Sequence, residues 1–307
     1  MYRLSILLLV FCTSCNFLKI IDRKQEKRFR KEEMPLQSFR TDKFIRSVHH
    51  SNEGRKKLVL LHGYGASGIG QYYRSAIALN KHCDVILPDL LYCGKSIGNG
   101  VDYSIDAQVE HLRIMLDSIQ VSEPVYLIGN SYGGIVAAYF AEKYPERVKK
   151  LVIYDSPVND YKLSYADSLS RSMQVPSVFE LLAPTTVFEN KKSLDIVFYD
   201  QPFIPRFLRR QMVKYGSIPA RPTQLKLLDH LVQNEMRYND HFFDWKIPVH
   251  LCWGEFDKLI PMETCRAIMR RYDIPESRLH IFPNAAHAPN VEFPDAFVDY
   301  VLTIMID

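Results

Sequence analysis

Cysteine is scarce in this 307-residue chain and poorly placed for metal work. Cys12 and Cys15 stand near the N-terminus. Cys83, Cys93, Cys252 and Cys265 are scattered, with no CxxC pair among them and no histidine at ligand spacing. A metal site is therefore not indicated, and spacing selects no disulfide pairing. Cys252 lies inside an apolar strand pattern and reads as core. No cofactor motif occurs either, so the chemistry is expected to come from side chains alone. No apolar run reaches the ~20 residues that a spanning helix needs. Internal repeats and low-complexity tracts are absent. A broad excess of one charge is also lacking: 39 Lys and Arg face 35 Asp and Glu, a net charge of +4. Much of that excess is local, in Lys19, Arg23, Lys24, Lys27, Arg28, Arg30 and Lys31. The remainder is near neutral, which argues against a nucleic-acid partner.

At the start, Arg3 precedes an apolar run from Leu4 to Phe11, then Thr13-Ser14-Cys15. Such a run suits the core of an export signal. The end of this stretch resembles a bacterial lipoprotein signal, whose cysteine becomes the lipidated N-terminus, although Cys12 stands where a leucine is usual. Residues 1–15 therefore read as an export signal with Cys15 as the lipidation candidate. Residues 16–37 read as a basic tether, either solvated or drawn to an anionic lipid surface, although Asp22, Glu26, Glu32 and Glu33 dilute its charge. The expected location is the bacterial cell envelope, attached to its membrane or exported. An uncleaved anchor running toward Ile21 competes with this reading, against Asn16 and Lys19.

Beyond the tether, strand-like and helix-like segments alternate. Residues 38–50 alternate weakly, as edge strands do. Buried-strand runs follow at 58–62, 84–89, 125–129, 151–155, 249–253 and 278–282. Helical patterns lie near 69–80, at 105–119, at 132–144, from Pro261 to Arg271, and near 294–305. Nearly continuous apolar strands alternating with helices imply a mostly parallel, doubly wound α/β sheet covered on both faces. The core is expected over 38–155 and 241–307. Residues 156–240 lack strand patterns and are expected to form an inserted helical cap over the carboxyl ends of the strands, where such sheets place their sites.

The stretch YLIGNSYGGIVAAYF, residues 126–140, sets Ser131 between an apolar strand and an alanine-rich helix. A turn this sharp strains its central residue. Gly129 and Gly133, two residues to either side, remove the side chains that would collide. Ser131 then projects its hydroxyl at a helix N-terminus, as in the G-x-S-x-G nucleophile elbow. Such a serine needs a base and an orienting acid. His287, in the loop PNAAHAPN, is the expected base. Asp257, in WGEFDKLIP after another strand, is the expected acid, and Asp155 is the reserve. The order Ser131, Asp257, His287 fits this arrangement. Oxyanion donors are expected from the backbone N–H groups of Tyr132 and Tyr64, the latter in the loop HGYG. His62 is expected to brace that loop.

Together HGYG, PDLLYCGKS, GNSYGG, YPERVKKLVIYD, WGEFDKLIP and NAAHAPNVEFP resemble the α/β-hydrolase superfamily with an inserted cap, over residues 56–303. Leu91 and Tyr92 depart from the family's usual PDLPGFGxS. A serine at the elbow, rather than an aspartate, argues against the family's haloalkane dehalogenases and epoxide hydrolases. The resemblance implies a serine esterase resembling monoacylglycerol lipases, acting on a small-molecule ester or thioester of an apolar acyl group. Tyr161, Tyr165, Met173, Phe179, Phe188, Phe198, Tyr199, Phe203 and Phe207 are expected mainly to pack the cap, a few lining an acyl pocket. Two alternatives stay open. Asn130 resembles the elbow of meta-cleavage-product (carbon–carbon bond) hydrolases, yet Ala288-Pro289-Asn290 follows the histidine where those carry a tryptophan. A triad-bearing ligand sensor with slow turnover is the other.

Overall fold

The computed structural model describes residues 17–306. Cys12, Cys15 and the Leu4–Phe11 run lie outside the described residues. Eight strands form one sheet: β1 (Leu36–Arg40), β2 (Ile45–His50), β3 (Lys57–Leu61), β4 (Asp84–Pro88), β5 (Val125–Asn130), β6 (Val148–Tyr154), β7 (Val249–Gly254) and β8 (Leu279–Phe282). Their spatial order is β1-β2-β4-β3-β5-β6-β7-β8. β2 runs antiparallel to both neighbours, and every pairing from β4 to β8 is parallel.

The central strands β3, β4 and β5 are buried along their whole length, which explains their unbroken apolar runs. Alternate residues divide between two cores. Val59 and Leu61 face the helices Ile105–Ser118 and Tyr132–Lys143, whereas Leu58 and Leu60 face the helices Gly68–Leu79 and Pro294–Ile304. This is the period-two signature of a strand covered on both sides. Between β6 and β7 the described residues hold helices and no strand, from Leu163–Ser172 to Glu235–Asp240.

Residues 17–31, read from sequence as a tether, are a helix seated on the core. Phe29 is fully buried, stacked on Tyr73 and edge-on to His49. Phe17 meets Phe207 edge-to-face at 5.8 Å, so the helix starts against the insertion. β6 begins three residues before the expected strand, because the exposed and half-buried Lys149 and Lys150 interrupt its apolar pattern. The four described cysteines are all buried free thiols, with Cys252 inaccessible as expected.

Candidate active site

β5 delivers Ser131. Its backbone has φ +51° and ψ −120°, a region that side-chain-bearing residues rarely occupy. Surrounding hydrogen bonds hold it there. Its N–H donates to the Tyr154 carbonyl at 2.9 Å, and the Ser156 hydroxyl donates to its carbonyl at 2.6 Å. The glycine requirement is real but differs in detail from a simple mutual collision. A Cβ on Gly129 would lie 2.3 Å from the Gly133 carbonyl oxygen. A Cβ on Gly133 would instead strike the β3 end, 2.5 Å from the His62 carbonyl. Gly134, not singled out from sequence, is equally constrained, its Cβ meeting the Ser156 side chain.

The loop after β7 supplies Asp257 and the loop after β8 supplies His287. His287 Nδ1–H donates to Asp257 Oδ2 at 2.7 Å. Asp257 Oδ1 accepts from the N–H groups of Leu259 and Ile260 at 2.8 and 3.0 Å. The carboxylate is thus clamped at both oxygens, and the imidazole presents Nε2 away from it. Ser131 and His287 line one cavity of about 700 Å³, which also touches Gly63, Tyr64 and Asn130. Asp155 directly follows β6 and is also close to Asp257, but the structure does not join it to His287. Its Oδ1 accepts from the Gly254 N–H at 2.8 Å, and its Oδ2 is buried without a hydrogen-bond partner. Burial, reinforced by the neighbouring Asp257 charge, pushes its carboxyl well above the usual range.

Tyr132 and Tyr64 sit at the same place with their backbone N–H groups lacking an acceptor among the described residues. Tyr132 opens the helix after Ser131, where first-turn N–H groups have no carbonyl one turn back. The Gly63–Tyr64 loop is braced by a network. The Gly63 N–H donates to Gln71 Oε1 at 2.8 Å, and Gln71 Nε2 donates to Asn130 Oδ1 at 2.8 Å. Asn290 Nδ2 donates to the Gln71 carbonyl, and the Tyr154 hydroxyl donates to Asn290 Oδ1. Gln71 was invisible to motif reading, since a single glutamine on a helix gives no signal. His62 braces the loop as expected. Leu90 N–H donates to its Nε2 at 3.0 Å, so Nδ1 carries the proton donated to the Gly63 carbonyl. Burial holds its pKa down, although the Asp89 charge opposes this.

A narrow chamber of about 120 Å³ opens from Ser131 beneath the insertion. Aliphatic side chains dominate its wall, including Ile135, Ala166, Val178, Leu228, Leu231 and Val232. Of the nine cap residues named above, eight aromatics and Met173, only Tyr161 reaches this chamber and only Phe198 reaches the wider one. Phe203 is almost wholly exposed, and Phe188, Tyr199 and Phe207 are half exposed. No lysine or arginine lines either chamber. In the loop after β4, the departures Leu91 and Tyr92 are accommodated. The amide of Gln108 clamps both polar backbone groups of Leu91, and Tyr92, at φ +66°, stacks on Tyr103 at 4.4 Å. No group of side chains suited to hold a metal ion occurs among the described residues.

Known proteins share this fold. The model of the alpha/beta hydrolase fold matches residues 56–294. Lipase 1 of Psychrobacter immobilis is 26% identical over 257 residues, 82% of this chain and 77% of the lipase. A 2-hydroxy-6-oxononadienedioate/2-hydroxy-6-oxononatrienedioate hydrolase of Paraburkholderia phymatum is 29% identical over 275 residues, covering 84% of this chain and 90% of that enzyme. Among solved structures, a bacterial membrane phospholipase A superposes with a TM-score of 0.79 at 23% identity, over 94% of this chain and 90% of that one.

Proposed function

The chain belongs to the alpha/beta hydrolase fold family, and from that premise we propose that it is a serine esterase of lipase-like substrate class, cleaving neutral carboxylic or thioesters of apolar acyl groups. The observation that carries this reading is the shared cavity. Ser131, held at φ +51°, opens into the same space as His287, whose ring is tied to Asp257 at 2.7 Å.

In this mechanism Ser131 Oγ attacks the carbonyl carbon while His287 Nε2 accepts the hydroxyl proton. Asp257 fixes the tautomer and stabilises the imidazolium. The N–H groups of Tyr64 and Tyr132 receive the developing oxyanion, worth about 3–4 kcal/mol per donor in comparable sites. His287 returns its proton to the leaving alcohol or thiol, and water then releases the acyl group from Ser131 by the same steps reversed. The narrow chamber takes the acyl chain and the wider one the leaving group.

The carbon–carbon hydrolase reading has Asn130 and the Paraburkholderia relative in its favour. That relative's named substrates are dioates, and two carboxylates need cationic partners. With no Lys or Arg in either chamber, a neutral substrate fits better. Ala288-Pro289-Asn290 also follows His287 where those hydrolases carry a tryptophan, and Asn290 is occupied by Gln71 and Tyr154. Membrane attachment through a lipidated Cys15 completes the proposal, bringing the catalytic domain to lipid-derived esters at the cell envelope. Multiple acyl chains would make that attachment stable, where one gives only marginal binding.

The test is labelling by a fluorophosphonate probe, followed by turnover of nitrophenyl esters of graded acyl length. Rapid multiple turnover with labelling at Ser131 supports the esterase. A single slow turnover would favour the sensor reading, and activity confined to vinylogous diketones would favour the carbon–carbon hydrolase. For Cys15, labelled palmitate incorporated by wild type but not by Cys15→Ala in a bacterial host supports lipidation.

A further inference from the structure

The segment from Gln201 to Leu228 holds no aspartate or glutamate and six basic residues: Arg206, Arg209, Arg210, Lys214, Arg221 and Lys226. Two of these are spent internally. Arg221 donates to the Ala183 carbonyl and Glu180, and Arg209 to the Ile204 carbonyl. Arg206, Arg210 and Lys214 are exposed and have no carboxylate partner among the described residues. Between them stand apolar side chains that remain substantially exposed. Phe203 is 90% exposed, Phe207 50%, Ile218 47% and Tyr215 44%. Scattered surface hydrophobics need no explanation, but these lie within one short stretch of chain, interleaved with cations. Residues 212–217 within it form a π-helical turn, a feature that concentrates at functional sites.

The location adds a second observation. Met212, Gly216, Ser217 and Ala220 line the wide cavity that holds Ser131 and His287. Leu18 and Ile21 of the helix Phe17–Lys31 line the same cavity. That helix turns Ile20, Lys24, Lys27 and Lys31 outward at helical spacing, opposite buried Phe29. Its two carboxylates are turned to other uses: Glu26 pairs with Lys95, and Asp22 lines the cavity; Glu32, just beyond the helix, pairs with Arg28. Two stretches that contribute to the cavity lining, residues 212–220 and the start of the helix, thus adjoin in sequence exposed apolar groups and cations without a carboxylate partner.

We infer that this rim, formed by residues 202–218 and the start of the helix Phe17–Lys31, is a docking surface for an anionic lipid bilayer that seats the cavity mouth against the membrane. Unpaired basic groups meet the negative headgroups, each contributing modestly near the surface and losing effect within a Debye length. Phe203, Phe207 and Ile218 enter the headgroup–acyl boundary, as apolar groups of interfacial elements do. A nucleic acid would use the cations but has no use for an aliphatic and phenyl rim opening into an apolar cavity. The inference rests on the esterase reading only in explaining why the mouth should face lipid.

Full-length wild type and Arg206→Glu/Arg210→Glu/Lys214→Glu are floated with phosphatidylcholine vesicles, with and without phosphatidylglycerol, at low and high salt. Both proteins carry Cys15→Ala in addition, so that no acyl anchor holds them to the vesicles independently of the rim. The expected result is a salt-sensitive preference of wild type for anionic vesicles that falls by about tenfold or more in the triple variant. Phe203→Ser/Phe207→Ser should weaken association with both vesicle types. Turnover of an ester carried in anionic vesicles should fall with the charge variant, while turnover of a soluble short ester stays unchanged. Equal flotation of wild type and charge variant overturns the inference. So does a salt-sensitive dimer of wild type that the substitutions dissolve without altering flotation, since the rim would then bind a second copy of the chain. Failure of wild type to cleave the soluble ester would defeat the esterase reading alone, because flotation still decides the docking.

Discussion

The two halves of the cavity are built by different means. The strand-end half fixes single atoms: backbone collisions, carbonyl acceptors and clamped carboxylates leave Ser131, Asp257 and His287 little freedom. The helical half, residues 163–240, fixes only a shape, using aliphatic side chains of ordinary packing quality. Chemistry should therefore be brittle to substitution at the strand ends, and selectivity should be adjustable in the helices without loss of chemistry.

The sharpest test of that division is Ser131→Ala. Loss of the nucleophile should lower ester turnover by about 10⁶-fold while circular dichroism and melting temperature stay near wild type. Near-normal turnover in the purified variant would remove Ser131 from the mechanism. Next comes a pair. Asp257→Asn should cost about 10⁴-fold in kcat, because an amide cannot hold the productive tautomer. Asp155→Asn should cost less than about tenfold, since Asp155 is not joined to His287 and the asparagine keeps an oxygen to accept from the Gly254 N–H. Reversal of the two effects would move the acid to the end of β6.

On the helical side the expected effects are smaller and selective. Leu228→Phe narrows the chamber beneath the insertion. It should lower kcat/KM roughly tenfold for longer acyl chains while sparing acetate esters, in line with the few kcal/mol a pocket extracts per methylene. An equal loss on all chain lengths would mean that the narrow chamber does not hold the acyl group.

The smallest effect concerns stability and separates the halves by pH. His111, buried behind the strand ends with Nε2–H donating to the Asp89 carbonyl, has its pKa pushed down to about 3 by burial, with Arg46 adding to the shift. A histidine depressed in the folded state takes up its proton only on unfolding. Its contribution is intact above the unfolded value near 6.5 and is lost as pH falls from there toward about 3. Between pH 6.5 and 5 it can remove as much as about 2 kcal/mol. Thermal melts of His111→Gln should show a flatter decline over that window than wild type, and parallel declines would show that His111 is not the titrating group.

The same division governed what could be read from the sequence. β3 and β5 announced themselves as nearly unbroken apolar runs and β7 as an apolar run interrupted only by His250, and the residues at their ends followed from turn chemistry. The Gly129/Gly133 pair was legible because a backbone collision demands one residue type. Gln71, Asn290 and Gly254 were not legible, because their roles depend on contacts between loops distant in the chain. Gly254 sits where a Cβ would fall 1.8 Å from the Ala286 carbonyl, a constraint no local pattern reveals. The helix Phe17–Lys31 was obscured by its charge. Its buried side amounts to little more than Phe29 with half-buried neighbours, and cations cover the rest. The cap aromatics misled in the other direction: aliphatic residues took the chamber, while several rings went to the outside.

Phe17 also sets the length of a leash. Its ring touches Phe207 at the rim, and its N–H donates to Gln211 Oε1 at 2.7 Å. Cys15 lies two residues earlier, and two residues of chain reach about 7 Å at most. An anchor attached at Cys15 would thus hold the rim within a bond-counted distance of the headgroups and leave the enzyme almost no room to tumble. Lengthening that two-residue stretch with glycine and serine would be a direct way to trade orientation for freedom.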